Sequence, residues 1–272
     1  MDPKQSSKFI TPNVEKQWIN GQDFLQAVHD LSGFNLASLN TDLNLKNQND
    51  EKILENIKFL LNRISDLLGR IQSQKHPALL IIFQGMDASG KDGAIDNLLM
   101  HIKHQSLRTA HFIKPTKDES SHDFLWRIHK QVPSSGEIVI FNRSHYEEAL
   151  IQKVHLGLPF FAFKKILKHI VNFENLITDH GTLIIKFFLN ISKKTQYERF
   201  KSRLDDPGRR WKLTEQDLKD RNRWDQFIET YDNVMVATST QRAPWFVIPA
   251  DDKLMRDFYI AHLLLQALTS TD

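Results

Sequence analysis

The 272-residue chain contains no cysteine. That excludes disulfides, thiolate metal sites and a cysteine nucleophile, and it suits a reducing compartment. No run approaches the roughly 20 apolar residues that a membrane span needs. The opening residues MDPKQSSKFITPN hold no apolar core of signal-peptide length, so a soluble, cytoplasmic protein with no membrane partner is expected. A large charge imbalance is missing too: 36 Lys and Arg against 33 Asp and Glu leave a net charge of +3. Bulk nucleic-acid binding is not expected from that balance, and any charge argument rests on local clusters. The 12 histidines show no spacing that suits a metal ion. There is no internal repeat and no low-complexity segment. What remains is an ordinary globular composition, 40% hydrophobic and 25% charged, in a chain long enough for one large α/β domain with additions.

Residues 1–49 are weakly periodic and end in the polar stretch NTDLNLKNQND. They read as an N-terminal extension wrapped on the surface of a domain spanning 50–272. Ile53, Ile57, Leu60, Ile64, Leu67 and Ile71 recur at four and three residues, which predicts an amphipathic helix over 50–74. It would cover a core or line a subunit interface. Short apolar runs at LLIIFQ (79–84), AHFIKP (110–115), EIVIFN (137–142), LIIKFFLN (183–190) and WFVIP (245–249) read as five buried strands of a parallel sheet. Helical patterns separate them at 91–104, about 120–131 and 160–179, the last capped by Gly181, with two more within 193–240 and a final one over 252–269. Alternation of this kind predicts a doubly wound α/β fold with helices on both faces.

The loop GMDASGKD (85–92) follows the first strand and opens the next helix, where a phosphate-binding loop belongs. Gly85 and Gly90 permit tight turns, the helix N-terminus favours an anion, and Lys91 can neutralise phosphate charge. The usual pattern ends in Ser or Thr, whose hydroxyl meets a magnesium ion; here Asp92 stands there, and Asp87 adds a second carboxylate. Asp87 is the better candidate to hold magnesium, directly or through water. Asp92 is either a further ligand or a first-turn carboxylate that stabilises its helix.

The third strand runs into FNRSHYEE (141–148). Asn142 occupies a position where an Asp usually faces the magnesium shell, and Glu147 can restore the missing carboxylate or remain an exposed helix residue. Arg143 can grip phosphate oxygens or form a salt bridge to Asp87 or Glu147. His122–His129 reads as one amphipathic helix with Phe124, Leu125 and Ile128 in the core; His122 and Asp123 reach the site or cap that helix. A dense run of Lys and Arg over 192–225, split by the DDPG turn at 205–208 and with Thr214 and Asp217 spaced as a capping arrangement, reads as a lid that closes on an anion.

Taken in order, GMDASGKDG, HDFLWRIHK, FNRSHYE, SRLDDPGRRWKLT and APWFVIPADDK closely resemble the family 2 polyphosphate kinases, from about residue 50 to the C-terminus. The resemblance implies a three-layer, thymidylate-kinase-like P-loop kinase fold with a helical lid. It also implies Mg2+-dependent, reversible transfer of the terminal phosphoryl group of inorganic polyphosphate to nucleoside mono- and diphosphates, with Mn2+ as a possible substitute. Matched by motif, Asp87, Lys91, Arg143, Asn142 and Glu147 are the expected catalytic residues. Gly85, Ala88, Ser89, Gly90, Asp92, Lys114, Arg127, Arg203, Arg209, Arg210 and Lys212 are the expected nucleotide and polyphosphate contacts. Asn142 departs from members with Asp and, with His145 and Glu147, resembles the subgroup (class III) that phosphorylates both AMP and ADP. Guanine nucleotides fall within the expectation, as does a homo-oligomer, dimer or tetramer. The rivals are an ATP-dependent nucleotide kinase on the same fold, disfavoured by the missing Ser/Thr, and a non-catalytic nucleic-acid binder, disfavoured by the modest net charge.

Overall fold

The computed structural model describes residues 34–42, 50–73, 77–102 and 107–269. Residues 1–33 and 43–49 of the expected extension lie outside the described residues. Helix α1 (Asp50–Ser73) opens with Asp50 and Glu51 and carries Arg70 in its last turn, charges that complement its dipole. Its buried stripe is Ile53, Ile57, Leu61, Ile64 and Leu68. The stripe is rotated from the expected one, since Leu61 and Leu68 are buried while Leu60 and Leu67 are only partly covered. An ideal helix holds i, i+4, i+8 and i+11 on one line, so both patterns satisfy the period and packing chooses between them. The stripe packs on the terminal helix α9 (Lys253–Thr269), which makes α1 a core-covering helix.

Five parallel strands run in the order β2-β3-β1-β4-β5. They are β1 (Ala78–Gln84), β2 (Leu107–His111), β3 (Ile138–Asn142), β4 (Thr182–Asn190) and β5 (Trp245–Pro249). Successive side chains of a strand face opposite sides of the sheet. Accordingly Leu79, Ile81 and Phe83 join the larger core cluster, while Leu80 and Ile82 join a second one with Phe173 and Ile177. This two-sided burial explains why β1 is a continuous apolar run.

Strand β2 lies three residues earlier than the apolar run AHFIKP suggested. It is an edge strand, half covered, so its residues LRTAH carry little apolar signal, and Phe112 and Ile113 lie beyond its end. The single helix expected over 120–131 is instead a 3₁₀ turn (Glu119–Ser121) and one helical turn, α3 (Trp126–His129). Asp123 breaks it locally: its carboxylate accepts the Leu125 N–H at 3.0 Å, a turn that competes with helix. Of its expected core residues Ile128 is fully buried, and Phe124 and Leu125 are half covered.

Helix α2 (Lys91–His101) follows the loop, and α4 (Tyr146–Leu150) follows β3. A π-helical turn (Ile151–His155) then leads to α5 (Phe160–Asp179), which ends at Gly181 with φ 88°. Residues 193–240 form three helices rather than two: α6 (Lys193–Asp205), α7 (Glu215–Asn222) and α8 (Trp224–Thr238). The extra break is at Arg223, whose φ of −101° and ψ of 20° leave the helical region. The expected Thr214–Asp217 capping box is present in both directions. The carboxyl end of β1 lies between those of β3 and β4, so the loop meets the Arg143 segment on one side and the base of α6 on the other.

Candidate active site

The loop after β1 holds two glycines in the left-handed region, Gly85 (φ 150°) and Gly90 (φ 97°). A Cβ at Gly85 would sit 2.8 Å from the Leu189 carbonyl and from Ser89 Oγ, and one at Gly90 would collide with the Arg256 guanidinium. Ala88 is left-handed as well (φ 61°), at a cost of roughly 1–2 kcal/mol for a residue with a Cβ. The carbonyls of the loop are taken from behind. Gln196 Nε2 donates to Asp87 O at 2.9 Å, Arg199 Nη1 to Ala88 O at 2.8 Å and Arg256 Nη1 to Gly90 O at 3.1 Å. Gly90 caps α2 without a side chain, so no side chain competes for the first amides of that helix.

Lys91 is buried, and its ammonium donates to Gly85 O at 2.7 Å and Met86 O at 3.2 Å. Burial first, and then the Arg143 charge, pull its pKa from 10.5 down to about 8. Arg143, also at positive φ (61°), donates to Asp87 Oδ1 at 2.8 Å and Glu147 Oε2 at 3.2 Å. Both salt-bridge partners expected from sequence are therefore engaged together, and Glu147 above all, with Asp87, raises the pKa of the guanidinium. Asn142 Nδ2 donates to Asp92 Oδ1 at 2.7 Å. Burial alone would raise the Asp92 pKa, but the Asn142 hydrogen bond and the Lys91 charge more than offset it and hold it low. The Tyr231 phenol of α8 is kept protonated, by burial and then by the Glu147 charge.

The basic hairpin over 192–225 reaches this cluster electrically. Lys212 lowers the Asp92 pKa, and Asp87 contributes to the raised pKa of Asp217, which burial dominates. The other cations of the hairpin make local contacts: Arg203 Nη1 donates to Lys212 O at 3.1 Å, Arg210 Nε to Leu204 O at 2.7 Å, and Arg209 pairs with Asp206. Lys114 is exposed in the segment beyond β2. Arg127 is held by its own neighbourhood: it donates to Ile113 O at 2.9 Å, pairs with Glu119 at 3.5 Å and lies over Phe112. His122 stacks on Trp126, and the Asp123 carboxylate is taken by the Leu125 N–H in a turn before α3, which has no side-chain cap.

Several residues of the site were invisible to motif reasoning. Gln196, Arg199 and Arg256 brace the loop; Gln196 and Arg199 lie within the basic run but were not singled out there, and Arg256 lies outside it. Behind α4, Lys186 Nζ lies 2.7 Å from Glu174 Oε2 and 2.9 Å from Tyr146 Oη, while His145 Nε2 is 3.3 Å from Glu174. Burial would push Glu174 up, but the Lys186 ammonium more than offsets this and keeps it ionised. A lysine inside the apolar strand LIIKFFLN was the available signal, since a buried charge needs a partner.

A parallel sheet of this order, with a lysine-bearing loop, an arginine at the neighbouring strand end and a basic helical hairpin beside it, defines a P-loop phosphotransferase. The sequence profile of the polyphosphate kinase 2 family matches residues 45–272. The AMP/ADP-polyphosphate phosphotransferase of Meiothermus ruber is 42% identical over 215 residues, 79% of this chain and 80% of that protein. The ADP-polyphosphate phosphotransferase of Rhodopseudomonas palustris is 35% identical, covering 82% of this chain and 81% of that one. The crystal structure of a polyphosphate kinase 2 from Arthrobacter aurescens TC1 superposes with a TM-score of 0.85 at 34% identity, over 92% of this chain and 89% of that one. The chain belongs to the polyphosphate kinase 2 family, whose members transfer phosphoryl groups from polyphosphate to nucleotides.

Proposed function

We propose that this enzyme transfers the terminal phosphoryl group of inorganic polyphosphate to AMP and to ADP, reversibly, with guanine nucleotides as further acceptors. The observation that carries the proposal is the convergence of Lys91, Asp87, Arg143 and Glu147 at one loop, beside a hairpin rich in Arg and Lys. The likeness to a relative named for both acceptors supports the AMP and ADP assignment.

In this reading the loop amides and Lys91 hold the transferred group, Arg143 turns from its carboxylates to phosphate oxygens, and Arg203, Arg209, Arg210 and Lys212 line the path of the polymer. Lys114 and Arg127 order the segment beyond β2 at the acceptor side. The attacking oxygen of AMP or ADP is already ionised, so no general base is required and catalysis is positioning plus charge neutralisation. Among the described residues no group of three or more His, Asp or Glu forms a ready-made metal cage. That fits Mg2+, which binds through one or two carboxylates together with substrate phosphates. Asp87, with Glu147 near it, would hold the ion, which neutralises phosphate charge when bound; Mn2+ has the same oxygen preference. The N-terminal extension, the lid over 192–225, a cytoplasmic location and a homo-oligomer (dimer or tetramer) complete the proposal. Phe59 of α1 and Phe160 and Phe161 of α5 are exposed apolar surface for such contacts.

The test is purified protein with AMP or ADP, Mg2+ and long-chain polyphosphate, without ATP. ADP and ATP should form, and Lys91→Ala and Asp87→Ala should abolish both. The apparent polyphosphate affinity should weaken steeply with salt, because binding a polyanion releases its counterions. No product in either direction refutes the assignment, and product with ATP alone as donor favours the ordinary nucleotide kinase.

A further inference from the structure

The two lid helices are clasped at their base, and the clasp ends on the catalytic loop. Arg221, in the last turn of α7, reaches back with Nη1 to Lys193 O at 2.7 Å and to Gln196 Oε1 at 3.0 Å, both on the first turns of α6. Gln196 is buried, 1% exposed, and uses the other end of its amide on the loop: Nε2 donates to Asp87 O at 2.9 Å. Its orientation is therefore set from both sides, an acceptor toward Arg221 and a donor toward Asp87.

The attachment falls beside the strained position of the loop. Asp87 precedes Ala88, the left-handed residue, and Arg199 of the same helix α6 holds the Ala88 carbonyl. A left-handed residue with a Cβ persists only where its surroundings over-determine it. Two donors from one helix, three residues apart, do so here. The Asp87 side chain, at the same residue, carries the ion pair to Arg143.

We infer that Gln196 and Arg221 are positioning residues that register the lid hairpin on the loop, so that the seating of α7 sets the orientation of the Asp87 carboxylate and of Ala88. The inference rests on the phosphotransferase reading above. It adds that the lid acts on the loop from its base as well as covering the substrate with its tip.

The test uses the full-length enzyme with three variants: Gln196→Met, which keeps length and loses both hydrogen bonds, Arg221→Met and the double variant. A misplacement on the order of 1 Å at reacting groups costs up to about a hundredfold, so Gln196→Met should lower kcat about 10- to 100-fold, with nucleotide KM changing much less. Arg221→Met should lose less, because Gln196 keeps Asp87, and Arg221→Lys should recover part of that loss. The double variant should be no worse than Gln196→Met alone, the signature of one coupled unit. Hydrogen exchange of the 85–90 peptide, which needs no substrate, should quicken in Gln196→Met and by a smaller factor in Arg221→Met. Should Gln196→Met fail to fold, the Arg221 pair reads the same link. Unchanged exchange of the loop peptide, unchanged kcat, or losses that multiply independently overturn the inference. A wild-type enzyme inactive with polyphosphate but showing the exchange pattern would refute the phosphotransferase reading and leave the clasp standing.

Discussion

Raising the pH should neutralise Lys91 well below the ordinary lysine range. Burial and the Arg143 charge lower its pKa from 10.5 to about 8 in the substrate-free protein. Its charged form then falls from roughly 90% at pH 7 to roughly 10% at pH 9, and kcat/KM, which reports the free enzyme, should drop about tenfold over that interval. Bound phosphate favours the ammonium, so kcat should hold to higher pH than kcat/KM. The assay is discontinuous chromatography of ADP and ATP at fixed ionic strength, with polyphosphate varied. In Lys91→Arg, whose guanidinium does not titrate here, any residual activity should lose this limb. The same shift has a stability consequence of defined sign. Between about pH 8 and 10.5 the folded chain binds fewer protons at Lys91 than the unfolded chain, so the contribution of this group to stability rises with pH across that window. About 2.5 pKa units correspond to roughly 3 kcal/mol, the cost of keeping the buried ammonium charged below the window. Denaturation of wild type and Lys91→Met from pH 7 to 10.5 should show the difference moving in favour of wild type. A kcat/KM flat to pH 10, or a stability difference independent of pH, refutes the reasoning.

Three further outcomes follow from the geometry. Glu147→Gln weakens the ion pair that holds Arg143 at 3.2 Å, and kcat/KM on both acceptors should fall about tenfold or more, the worth of one hydrogen bond to a charged group; an unchanged kcat/KM would contradict the placement of Glu147 beside Arg143 in the working site. Lys186→Met leaves the Glu174 carboxylate buried without its 2.7 Å partner and should cost about 3–5 kcal/mol in urea denaturation, whereas a change under about 1 kcal/mol would mean the network is not coupled to folding. Gly90→Ala forces a Cβ into the left-handed region and into the Arg256 guanidinium, so stability should fall by at least about 1–2 kcal/mol; an unchanged melting temperature would show that the loop relaxes freely.

Much of this protein was legible in the order of its residues. Four of the five strands and the P-loop stand where apolar runs and glycines put them, because two-sided burial and left-handed turns demand particular residue types. Lys91, Asp87 and Arg143 stand together at the strand end and helix start where the motifs put them, and their phosphate role is the proposal made above. The edge strand β2 was misplaced, because half-covered residues need not be apolar. The expected helix over 120–131 failed because one Asp123 side chain outcompeted the helical hydrogen bonds. Tertiary structure alone decided which face of α1 is buried, and that Arg143 meets Asp87 and Glu147 at once. It alone decided that Asn142 and Asp92 hold each other, a pairing of residues 50 apart in the chain. The bracing of the loop by Gln196, Arg199 and Arg256 belongs to the same class. Sequence pattern reports what a residue needs locally; a hydrogen bond across more than a hundred residues exists only once the sheet order has brought β1, β4 and the helices after them together.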